Sequence, residues 1–139
     1  MTRKCENISL DAFKKEFKIQ NIFDIQLYVD SQNKSEVFNV IQENKERFRS
    51  AIYVILGGLY NDDLYGKEKV SAKTSSITAI KFKRTKSKNL RIYCKEYIDS
   101  KSPNIKKIVM ICTYDKKTQK IDKKLKTVIE KIAKYEYEI

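Results

Sequence analysis

The 139 residues suffice for one domain and one core, hiding roughly two-thirds of the unfolded surface, so neither a disulfide nor a metal is needed to hold the fold. With 41% hydrophobic and 35% charged residues, three glycines and one proline, the chain is neither low-complexity nor collagen-like, and no run of about 18 apolar residues marks a membrane span. The net charge is +12 and there is no histidine, which excludes serine–histidine triads, histidine-dependent zinc sites and imidazole acid–base catalysis.

Leu10, Phe13 and Phe17 recur at helical spacing near the N-terminus and predict a short amphipathic helix. Ile22 to Val29 alternates, with Phe23, Ile25, Leu27 and Val29 on one side, and predicts a half-buried strand. Asp30-Ser31-Gln32-Asn33 reads as a turn, with Asn33 as helix N-cap and Glu36 completing a variant capping box. Val37, Val40, Ile41, Phe48, Ala51, Ile52, Ile55 and Leu59 then keep a period near 3.6, which fits one long helix or a two-helix hairpin. Gly57-Gly58 loosens its end. Residues 66–76 are polar and read as a loop.

Three strand signals follow in close order: Ile77 to Arg84, Asn89 to Tyr97, and Lys106 to Tyr114 with its apolar run Ile108-Val109-Met110-Ile111-Cys112. Short links rich in turn residues predict an antiparallel meander. The chain closes on a helix with the stripe Ile121, Leu125, Val128, Ile129 and Ile132 and a lysine-rich solvated side. The fold class read from this order is α+β: a small antiparallel sheet of three to four strands packed on N-terminal helices, with a C-terminal helix. Residues 1–139 form a single domain.

The charge is unevenly placed. Residues 1–70 hold 11 Lys/Arg and 11 Asp/Glu, whereas residues 71–139 hold 19 Lys/Arg against 7 Asp/Glu and so carry the whole excess. Such a face points to a polyanion, nucleic acid first. The side of the meander opposite its apolar face offers Lys81, Lys83, Arg91, Tyr93 and Lys95, where a guanidinium can fork onto a phosphate and a tyrosine can stack on a base. Asp115-Lys116-Lys117-Thr118-Gln119-Lys120, at the start of the last helix, is a second cationic cluster. Cys5, Cys94 and Cys112 are odd in number, and no C-x-x-C pair occurs, so neither a metal nor a cofactor is expected; Cys94 and Cys112 read as small apolar core residues in a reducing cytoplasm. Met1-Thr2-Arg3-Lys4-Cys5-Glu6 lacks the apolar stretch of a signal peptide.

The segments Ile77-Thr78-Ala79-Ile80-Lys81-Phe82, Asn89-Leu90-Arg91-Ile92-Tyr93, and Ile108-Val109-Met110 leading to Lys116-Lys117-Thr118-Gln119-Lys120 and a lysine-rich helix resemble the RelE/ParE/HigB superfamily of toxins from bacterial type II toxin–antitoxin systems. The resemblance covers roughly residues 22–139 and leaves 1–21 as an N-terminal extension; Ile121-Asp122 stands where many members have a proline. It implies a RelE-like core, a cognate antitoxin as partner, and metal-independent cleavage of mRNA on the ribosome by attack of the 2′-OH on the adjacent phosphate. Without histidine, lysine or tyrosine is left to move protons and arginine or lysine to balance charge. Carried over, the catalytic set is Arg91 on the scissile phosphate, Lys117, Lys83 and a terminal tyrosine, Tyr137 in preference to Tyr135. The RNA-binding set is Lys81, Arg84, Tyr93, Lys95, Lys116 and Lys120. Two alternatives use the same basic residues: a ParE-like gyrase-inhibiting toxin, and a non-catalytic nucleic-acid-binding module.

Overall fold

A computed structural model describes residues 2–18, 24–68, 70–82, 89–98, 101–102, 105–115 and 123–139. The chain runs β1 (Thr2–Ile8), α1 (Asp11–Phe17), β2 (Asp24–Asp30), α2 (Lys34–Glu43), α3 (Lys45–Leu56), β3 (Tyr65–Lys67), a 3-10 turn at Ala72–Thr74, β4 (Ile77–Lys81), β5 (Leu90–Ile98), β6 (Ile105–Asp115), α4 (Lys123–Ala133) and β7 (Glu136–Glu138). The strands form one seven-stranded sheet in the order β3-β4-β5-β6-β2-β1-β7. The β3–β4, β4–β5, β5–β6 and β1–β2 pairs are antiparallel, whereas β2–β6 and β1–β7 are parallel.

This corrects the expected small antiparallel sheet of three to four strands. Three strands escape a reading by periodicity. The strands β3 and β7 are three residues long, too short to show a period, and β1 (TRKCENI) is polar because neither of its faces is fully buried. The segment 66–76 is likewise no simple loop, since it holds part of β3 and the 3-10 turn.

Both sheet faces are covered. On one, Ile25, Leu27, Val29, Ile80, Ile92, Cys94, Ile108 and Met110 pack with Val37 of α2 and Phe48, Ala51, Ile52, Ile55 and Leu56 of α3. On the other, Ile77, Ala79, Tyr93, Val109 and Ile111 lie under Leu125, Ile129 and Ile132 of α4. Each buried aliphatic side chain contributes roughly 1.5–3 kcal/mol, enough to seat a lysine-rich helix on its apolar stripe. The unbroken apolar run of β6 is what a strand covered on both sides requires. A register shift between Tyr93 and Cys94 marks a bulge against β6.

Asn44 separates α2 from α3, its amide donating back to the Val40 carbonyl at 2.8 Å, so the two-helix alternative is the one adopted. The expected capping box at Asn33 does not form. Asp30 instead accepts the backbone N–H groups of Gln32 (2.8 Å) and Asn33 (3.1 Å). The Asn33 amide reaches the Ile111 carbonyl at 2.8 Å, and Glu36 accepts from the Thr113 hydroxyl at 2.6 Å. Tertiary acceptors outcompete the local cap.

Asp30 also ties the added strands to the sheet. Fully buried, it takes a two-pronged contact from Arg3 of β1 (2.7 and 3.1 Å) and a hydrogen bond from the Tyr137 hydroxyl of β7 (2.7 Å). Burial alone would push its carboxyl up; hydrogen bonds from Arg3, Tyr137 and the Asn33 N–H outweigh burial and hold it below the ordinary 3.8. Its stabilising contribution is therefore complete above pH 3.8 and is lost as pH falls through the lower folded-state value. Asp30→Asn is expected to lower stability by about 2–4 kcal/mol at pH 7. In urea unfolding, the gap between the two proteins should narrow as pH is lowered below 3.8; a gap independent of pH would contradict this account.

Candidate nucleic-acid interface

Cross-strand register places Lys81 of β4, Arg91 of β5 and Tyr114 of β6 in one row, on the sheet face that carries α4. Two residues along β5, Tyr93 faces the same way, its ring edge-on to that of Tyr114 at 6.2 Å between centroids. Arg91 is only 9% exposed, and its guanidinium donates through Nη1 to the carboxylate of Glu68, which is buried beside it. The Lys81 ammonium lies 4.0 Å from the same carboxylate and donates to the Asp62 carbonyl at 2.9 Å.

Glu68 is set by its neighbours. Its N–H donates to the Ile77 carbonyl at 3.0 Å, and Tyr65, three residues earlier on β3, is pinned through its hydroxyl to Glu96 (2.5 Å) and Thr78 (2.9 Å) on the opposite face. Glu96 also accepts from Tyr60 at 2.7 Å and lies 3.5 Å from Lys106. That cluster is well partnered and holds β3 against β4 and β5.

Two buried polar atoms at Arg91 lack a hydrogen-bond partner among the described residues: its own Nε and the Tyr93 hydroxyl. Such orphans are uncommon in folded chains, because each costs about 1–3 kcal/mol of desolvation. Burial, reinforced by Glu68 and opposed by Arg91, raises the Tyr93 phenol above its ordinary value and keeps it a proton donor. Arg91 Nε–H and Tyr93 O–H are thus two donors without an acceptor, a composition that suits an anionic oxygen.

The row lies where two basic segments join the sheet. The chain leaves β4 after Phe82 and returns at Asn89, whose N–H donates to Asp115 at 2.8 Å; it leaves β6 after Asp115, paired with Leu90. The sequences between these anchors hold Lys83, Arg84, Lys86 and Lys88, and Lys116, Lys117 and Lys120. Of the expected site residues, Lys83, Arg84, Lys116, Lys117 and Lys120 lie outside the described residues.

The remaining expectations separate. Arg91, Lys81 and Tyr93 come together, but Arg91 and Tyr93 are buried, Tyr93 in the core beneath α4, rather than displayed on an open platform. Lys95, expected to bind RNA, is 7% exposed and donates to the carbonyls of Ala133 (2.9 Å) and Tyr135 (2.8 Å), capping the end of α4. Burial, partly offset by Glu136, lowers its pKa. Tyr137, expected to be catalytic, is buried on β7 against Asp30, four places from β5 in the strand order, and is not part of the Arg91 cluster. Its hydroxyl anchors the sheet edge. Sequence reasoning missed Glu68, which sits in the polar stretch Lys67-Glu68-Lys69 with no periodicity to mark it.

Among the described residues no three Asp, Glu or Cys side chains converge to hold a metal ion, and no helix is long and apolar enough to cross a membrane. Burial raises all three thiols, Cys112 to about 12, which leaves them poor nucleophiles. Scans of known family models, curated proteins and solved structures find no match to this chain.

Tyr93→Phe removes an orphaned hydroxyl and should raise stability by about 1 kcal/mol in urea unfolding; an equal loss would mean that the hydroxyl has a partner. Lys95→Met should cost about 1–3 kcal/mol, by stranding two buried carbonyls, and leave affinity for a model RNA unchanged in a filter-binding titration. A folded Lys95→Met protein with weakened RNA binding would return this lysine to the interface.

Proposed function

We propose that the chain is the toxin of a type II toxin–antitoxin pair, acting in the cytoplasm as a metal-independent endoribonuclease on ribosome-bound mRNA. The observation that carries this reading is the Arg91–Glu68 pair with two donors, Arg91 Nε–H and Tyr93 O–H, that have no partner among the described residues, at the end of the sheet where the segments holding Lys83–Lys88 and Lys116–Lys120 join it. Those segments attract the RNA backbone. The Arg91 Nε–H and Tyr93 O–H take oxygens of the scissile phosphate.

With no histidine in the chain, Glu68 is the base within reach of that phosphate. Its carboxylate accepts the proton of the 2′-OH, O2′ bonds to phosphorus, and the bond to the 5′-oxygen breaks. The products are a 2′,3′-cyclic phosphate and a 5′-hydroxyl. Arg91 balances the charge added on phosphorus, and Lys83 and Lys117 are the side chains this reading assigns to protonate the leaving oxygen. Because Arg91 is almost enclosed, substrate must exchange places with what covers it.

That enclosure favours one competing reading, a nucleic-acid-binding module without catalysis, in which Arg91–Glu68 is an internal brace. A reconstituted translation system, read by primer extension and end-group analysis, separates the two. The nuclease makes discrete cuts ending in 2′,3′-cyclic phosphate, and Glu68→Gln or Arg91→Lys slows cutting by about 100-fold or more while each variant keeps its circular-dichroism spectrum. Intact messages bound in a steeply salt-dependent way would establish the binding module instead.

A further inference from the structure

The opposite end of the α4 face holds a cavity of about 470 Å³ lined by Gln26, Tyr97, Ile98, Ile105, Lys107, Tyr137 and Ile139. Its size lies within the range of small-molecule sites. It is separate from the Arg91 site: Tyr97 is six residues along β5 from Arg91, about 20 Å.

Its floor is a row across three strands, with Tyr97 of β5 opposite Lys107 of β6, and Lys107 opposite Gln26 of β2. Side chains so paired stand about 5 Å apart. The half-buried Lys107 ammonium has no ion pair or hydrogen bond among the described residues. Its neighbour Lys106 turns to the other face, towards Glu96. Gln26 spends its carbonyl oxygen on the Tyr28 hydroxyl, at 2.9 Å, which leaves its NH₂ to face a ligand. Glu136, whose charge bears on Tyr97, lies 3.9 Å from the Lys95 ammonium. Among the described residues the floor therefore offers donors and one positive charge without a counter-charge.

The walls are apolar and aromatic. The Tyr137 ring is fixed by its bond to Asp30, and Tyr97 lies on the β5 side. Ile98 and Ile139 stand at the rim, 55% and 43% exposed. A neutral apolar guest would leave the ammonium unpaired, and a polyphosphate or RNA strand would leave the aromatic walls unused and find one unpaired cation among the described residues, the Lys95 ammonium over the Tyr97 ring being held by the Ala133 and Tyr135 carbonyls. An anion with an apolar body satisfies both parts.

We propose that this cavity binds a small organic monocarboxylate, its carboxylate on Lys107 and the Gln26 amide and its apolar body between Tyr97 and Tyr137. The site is independent of the function proposed above. The test is titration of the full chain with 3-phenylpropionate and its neutral analogue 3-phenylpropan-1-ol, followed by calorimetry and amide NMR shifts. The acid should bind saturably and about tenfold more tightly than the alcohol, with shifts centred on Gln26, Tyr97, Ile98 and Lys107. Lys107→Met should remove the preference for the acid and leave binding of the alcohol unchanged; Gln26→Leu should reduce the preference by a smaller factor. Absence of saturable binding, equal binding of acid and alcohol, or shifts centred on the Arg91 end would each overturn the proposal.

Discussion

Covering both faces of one sheet leaves little water in this molecule, and every charge carried into it has to meet a counter-charge or a set of hydrogen bonds. Asp30, Glu68, Arg91, Lys95, Glu96 and Lys106 are all nearly enclosed. Each joins elements far apart in sequence. Asp30 binds Arg3 and Tyr137 across β2, β1 and β7. Glu96 gathers Tyr60, Tyr65 and Lys106. Lys95 closes the end of α4. A hydrophobic sheet with helices on both sides could slip in register; these fixed polar contacts tie particular residues together across it.

The same constraint gives the candidate site its meaning. Among the described residues three buried side-chain polar atoms lack a partner: Arg47 Nε stands alone, and the other two fall together around Arg91, where Glu68 meets one side of the guanidinium while Nε and the neighbouring Tyr93 hydroxyl have no acceptor. Folded proteins keep such deficits mainly where they are used. The deficit lies at the sheet end fed by the two most basic stretches between strands. The cavity at the other end follows the same logic with a different surface, one cation among tyrosine and isoleucine side chains.

Much of the scaffold was legible in the chain. The alternation of Ile25, Leu27 and Val29, the apolar run Ile108 to Ile111 and the stripe Leu125, Ile129 and Ile132 each mark an element that buries those residues. Periodicity works there because burial is one-sided or complete. It fails at β1, β3 and β7, which earn their place by pairing with neighbours rather than by burying an apolar face. An alternating Lys81-Arg91-Tyr93-Lys95 surface reads as solvated by the same rule, because polar side chains facing away from an apolar face usually meet water; here α4 packs against that side.

What the residues determined alone is the inventory: no imidazole, thiols too few and scattered for a metal, an excess of positive charge confined to the second half, and strands and helices in a particular order. What only the tertiary structure decided is the partnership of each charge. Whether Arg91 meets water or Glu68, whether Lys95 meets RNA or the end of a helix, and whether Tyr137 stands beside Arg91 or four strands away depend on which strands lie side by side. Electrostatic and hydrogen-bond energies fall off within a few ångströms, so they are settled by neighbours in space, and a linear pattern carries little information about those.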